Sequence, residues 1–75
     1  MLKINSIDKN QTEVKTDAMT IFFSYNTPVA CFIPGQGYFK TSKNWSNTTN
    51  RHVNKWLDGI EAEQKPQSFF DNFIA

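Results

Sequence analysis

The sequence predicts an α+β fold: an antiparallel meander of about four short strands with one C-terminal amphipathic helix packed on it. Three observations carry this. Apolar residues alternate with a period of two as far as residue 41, and the period lengthens to that of a helix between residues 42 and 60. Pro34-Gly35-Gln36-Gly37 sets a strong turn inside the first stretch, because Pro presets φ and Gly tolerates positive φ. Finally, 75 residues make one small domain, and with aromatics at 15% its core must rest on a few bulky side chains.

Taken in chain order, Leu2 to Ile7 and Thr12 to Lys15 flank Asp8-Lys9-Asn10-Gln11, which predicts a hairpin. From Ala18 to Tyr25, residues Met19, Ile21, Phe23 and Tyr25 fall on one face and Thr20, Phe22 and Ser24 on the other, the pattern of a half-buried strand. Asn26-Thr27-Pro28 breaks that run. In the next strand, Val29, Cys31 and Ile33 lie opposite Ala30 and Phe32, and Tyr38 to Thr41 returns after the Pro-Gly turn. Val53, Trp56, Leu57 and Ile60 then recur at helical spacing behind Ser46, Asn47 and Thr48, each of which offers an N-cap oxygen, and Gly59 sits near the end. A helix of about three turns is too short to hold alone, so its stripe and the sheet need each other. Residues 1–60 are therefore expected to form the domain, with 61–75 a polar linker and a Phe-rich tail.

Composition narrows the function classes. A single cysteine, Cys31, cannot form an intramolecular disulfide. The first ten residues hold no hydrophobic signal region, and no run approaches the roughly 18 apolar residues of a membrane span. A soluble, cytosolic chain is expected. Catalysis has little to work with: His52, the one histidine, lies in the predicted helix, and Cys31 lies mid-strand between apolar neighbours. One His and one distant Cys do not suggest a metal site, and Gly35-Gln36-Gly37 lacks the residues of a phosphate loop. Neither an enzyme nor a cofactor is expected.

Charge is more informative. Residues 1–57 carry seven basic side chains against three acids, a net of +4, whereas residues 58–75 carry four acids against Lys65, a net of −3. Between Lys40 and Leu57 there is no acid, and Lys40, Lys43, Arg51 and Lys55 interleave with Asn44, Asn47, Asn50 and Asn54. Such a surface suits phosphate contacts, and it also suits the solvated face of an amphipathic helix. In the tail, Phe69, Phe70, Phe73 and Ile74 share a helical face. They either dock on the sheet or act as a partner-binding segment that enters a groove.

Two strings resemble a known pattern when taken together: Ser24-Tyr25-Asn26-Thr27-Pro28-Val29-Ala30, and Trp45-Ser46-Asn47-Thr48-Thr49-Asn50-Arg51-His52. They are similar to a small domain of unknown function found in phage, notably cyanophage, and in some prokaryotic proteins. The likeness spans about residues 18 to 57. It brings no established activity and implies a setting: a small accessory protein made by a phage in its bacterial host. It also draws attention to Ser46, Thr48, Thr49 and His52 at the helix entrance, where hydroxyls and amides can cap the helix or receive an anion.

The function expected is that of a non-enzymatic accessory protein that contacts a host or phage protein in the host cytoplasm. The alternative is a nucleic-acid-binding accessory protein using Lys40, Lys43, Arg51 and Lys55. An open sheet edge and an uncovered face also point to a homodimer.

Overall fold

The structure, a computed structural model, describes residues 2–74. It is α+β with a mostly antiparallel sheet, but the sheet has six strands and there are two helices. The strands are β1 (Lys3–Asp8), β2 (Gln11–Lys15), β3 (Thr20–Ser24), β4 (Thr27–Ile33), β5 (Gly37–Thr41) and β6 (Glu63–Lys65). The helices are α1 (Asn47–Leu57) and α2 (Gln67–Asp71). Strands follow one another across the sheet in chain order; β1 to β5 pair antiparallel, and β6 joins β5 in parallel. α1 is the crossover that a parallel pair requires.

The expected hairpins are present, with two adjustments. Asn10 takes the positive φ of the β1–β2 turn, at 61°. Tyr25, read from the sequence as the last residue of a strand, instead turns the corner between β3 and β4 with φ 58°, and its N–H donates to the Asn10 carbonyl at 2.7 Å. Pro28 does not end a strand but lies within β4. It sits beside a bulge and past the last β4–β5 pair, Ala30↔Lys40, two settings that tolerate a missing N–H.

That bulge also corrects the facing of β4. Phe22 opposes Ala30 while Phe23 opposes Pro28, so Val29 is the extra residue. Strict alternation would place Val29 with Cys31; instead Val29 joins Phe22, Ala30, Val53 and Leu57 in the cluster beneath α1. Around it Phe22 stacks on Trp56 at 5.2 Å, and Tyr38 meets Trp56 edge-on at 5.8 Å. The Trp56 indole N–H donates to Glu13 Oε2 at 2.8 Å, giving this half-buried ring its polar partner. α1 ends where expected, although Asp58 (φ 49°) takes the left-handed cap just before Gly59, and Ile60 stays exposed.

The segment expected as a polar linker and Phe-rich tail holds two further elements, and of the two arrangements open to the tail it takes the docked one. Glu63–Lys65 forms β6, and α2 follows directly. α2 lies on the sheet face opposite α1, where Phe70 is fully buried with Cys31 and Phe39, flanked by Ile33, Phe69 and Phe73. The three Phe rings of this segment pack on one another with centroids 5.2 to 6.0 Å apart.

Cys31 reports on this docking. Its side chain is fully buried, and burial pushes the thiol up to about 11. The stability tied to the neutral thiol is complete below the unfolded-chain value and is lost as pH rises through the folded one. Stability is therefore expected to fall between about pH 9 and pH 11 in the wild type and to flatten there in Cys31→Ala. In the native chain at pH 8 a thiol reagent should be blocked, and Phe70→Ala should open Cys31 to it. Equal reaction rates in the two proteins would contradict the docking.

Candidate functional site

The helix entrance is built for structure. Ser46 caps α1, its Oγ accepting from the Thr49 N–H at 3.1 Å. Thr49 points into the core, and its Oγ1 lies 3.3 Å from the Oγ of buried Ser24, which is also 2.8 Å from His52 Nδ1. His52 lies beside the Tyr25 ring, centroids 5.9 Å apart. Of the four residues marked for an anion, Ser46 is thus drawn into the cap of α1, and Thr49 and His52 into bonds that pin α1 to the end of β3. Thr48 is exposed in the first turn.

The four cations do not form one strip. Lys55 pairs with Asp8 at 3.5 Å. The Lys9 backbone N–H, with Lys55 beside it, holds the Asp8 carboxyl below the usual carboxylate range. Arg51 stands on the outer side of α1. Lys40 and Lys43, by contrast, both line a cleft of about 290 Å³ between α1 and the β5–β6 edge. Asn50 and Asn54 line it from α1, Gln64 from β6, and Thr41, Ser42 and Asn44 from the connecting loop. Among the described residues no Asp or Glu lines it. Asn50 donates to Asn44 at 2.9 Å, which braces the rim, and the Lys43 ammonium sits 4.0 Å above the Trp45 ring.

A wider depression of about 580 Å³, bordered by Ile7, Gln11, Glu13, Lys55, Trp56 and Asp58, lies between the first hairpin and α1. Two of its charges are already engaged: Glu13 receives Trp56 and Lys15, and Lys55 takes Asp8.

The second candidate surface is apolar. α2 covers only the β4–β5 half of its sheet face. Over β1 to β3 that face carries a groove of about 270 Å³ lined by Ile4, Thr12, Val14, Phe23, Tyr25 and Asn26. Ile4 is 66% exposed and Leu2, two residues earlier on the same face, 62%. β1 is also an open edge. The sequence points to an open edge and an uncovered face but not to this groove, because alternation marks an apolar face without telling which part of it will be covered.

Of the tail residues marked for a partner, Phe70 is core, Phe69 and Phe73 are half-buried around it, and Ile74 is exposed. No helix is long and apolar enough to cross a membrane among the described residues. The chain belongs to a family of unknown function (DUF8033), whose model matches residues 2–72. No curated protein and no solved structure matches the chain.

The capping role of Ser46 has a direct test. Ser46→Ala removes an N-cap acceptor worth about 1 kcal/mol, which is expected to lower Tm by about 4–8 °C. An unchanged Tm would show that the cap contributes nothing.

Proposed function

We propose that the chain is a small, non-enzymatic accessory protein, phage-encoded and acting in the host cytoplasm, that binds a host or phage protein. The observation that carries this reading is the uncovered apolar groove over β1 to β3 beside an open β1 edge. The two edges of the sheet differ. β6 is three polar residues with Glu63 and Lys65 paired at 2.8 Å, a blunted edge, whereas β1 is six residues long with Ile4 exposed. Lys3 stands directly across from Lys15, a like-charge pair that weakens the edge.

These features suit an extended partner segment added alongside β1, with apolar side chains on the groove side and an acidic residue on the other, near Lys3. Backbone bonds to β1 would give affinity, and the groove and lysines would give selectivity.

A second reading, nucleic-acid binding, is favoured by the placing of Lys40 and Lys43 along a cleft that no acid lines among the described residues. Of the two, the groove carries more, since the large apolar side chains around it gain nothing from water.

The test begins with capture of proteins from host lysate and continues with reconstitution from purified components. A purified partner is expected to bind the wild-type chain and to lose about tenfold or more in affinity with Ile4→Lys, the scale of one lost apolar contact plus a charge clash. Lys43→Ala should leave it unchanged. Light scattering on the chain alone identifies the case in which the partner is a second copy. Failure of every captured protein to reconstitute, with the chain monomeric, would overturn the reading, as would binding indifferent to Ile4→Lys.

A further inference from the structure

We infer that the cleft between α1 and the β5–β6 edge is a binding site for a phosphorylated sugar unit, either free or as part of a nucleic-acid backbone. The inference rests on the second functional reading, and it names the ligand chemistry and the place.

Three properties of the cleft point to that class. First, its charge is of one sign: Lys40 and Lys43 line it, no acid does, and neither lysine makes an ion pair among the described residues, the Lys43 ammonium resting over the Trp45 ring at the rim. Ammonium groups held without a carboxylate partner favour an anion, and phosphate is the one that best uses two of them. Second, the remaining wall is made of amides and hydroxyls. Asn54 and Gln64 each bring a donor and an acceptor, and Ser42 a hydroxyl, which matches the mixed donor and acceptor character of sugar hydroxyls. Third, no aromatic ring lines the cleft among the described residues. Trp45 is close by, but its ring face is taken by Lys43 and its indole N–H donates to Gln67 at 3.0 Å. A site that reads bases in single strands relies on stacking platforms, and this one has none, so it would hold the sugar-phosphate portion and leave the base outside.

The cleft is also preformed. Its floor is β5 and β6 in register, Lys40 opposite Gln64, and its far wall is the side of α1, fixed by Val53 and Thr49 in the core. Its volume of about 290 Å³ suits one pentose phosphate.

The experiment is a titration of the ¹⁵N-labelled full chain with ribose 5-phosphate, inorganic phosphate, a short oligothymidylate and a short oligouridylate, at low and near-physiological salt. The side-chain amides of Asn54 and Gln64 and the backbone amides of Ser42 and Lys43 are expected to shift. Lys40→Ala and Lys43→Ala, each checked by an unchanged spectrum elsewhere, should weaken binding by about tenfold, the scale of one charge-assisted hydrogen bond. Shifts with ribose 5-phosphate identify a free sugar phosphate as sufficient, and shifts with the oligonucleotides alone identify the backbone as the source. Oligonucleotide binding that moves only signals around Arg51 and Lys55 would overturn the cleft site while keeping nucleic-acid binding. No shift from any ligand at low salt would overturn both.

Discussion

The side-chain amide of Gln67 ties the structure together. Its Oε1 accepts from Thr41 Oγ1 at 2.8 Å and from the Trp45 indole at 3.0 Å; its Nε2 donates to the Pro28 carbonyl at 2.8 Å and to Asp71 Oδ1 at 3.0 Å. One residue thereby joins β4, the end of β5, the loop that leads into α1, and α2. All four hydrogen-bonding positions of the amide are used, so removing the side chain would strand several partners at once. It also relieves the difficulty that Pro28 creates: the carbonyl of this buried proline lies past the end of the β4–β5 ladder, where a strand partner is absent, and Gln67 supplies the donor.

What Gln67 fixes determines what is left open. With α2 held on the β4–β5 half of its face, the β1–β3 half keeps its groove; with the loop between β5 and α1 tied down, Lys40 and Lys43 face a cleft of defined shape. Both candidate surfaces therefore follow from one docking event. They sit on opposite sides of the sheet and differ in chemistry, one apolar and one cationic, so a single partner segment cannot use both in the same way.

Much of the meander was legible in the sequence because it is written in local rules. Alternation from Thr20 to Ser24, the Pro34–Gly37 turn and the spacing of Val53 and Leu57 each reflect a period or a φ preference that a few residues determine. The rest was not local. β6 has no apolar alternation and forms because the chain, having crossed the sheet as α1, returns beside β5. The bulge at Val29 depends on pairing with β3, and no pattern within β4 announces it. The role of Gln67 was hidden in a polar stretch whose composition reads as a linker, since hydrogen bonds to distant partners leave no periodic trace. For the sites, the lysines were visible as a run without acids, but only the fold separates Lys40 and Lys43 from Lys55, which Asp8 takes. The exposure of Ile4 depends on how far α2 reaches.

The C-terminal segment is a structural part of the domain and not a displayed tail, with β6 paired to β5 and Phe70 fully buried. The most direct test compares thermal unfolding, followed by far-ultraviolet circular dichroism, of the full chain and a chain ending at Ala62. The account predicts one cooperative transition for the full chain and, for the shortened one, a lost transition or a midpoint lower by well over 10 °C, the scale of several kcal/mol in a domain of this size. A shortened chain that melts cooperatively at the same temperature would contradict it and favour the other arrangement open to the tail, display to a partner.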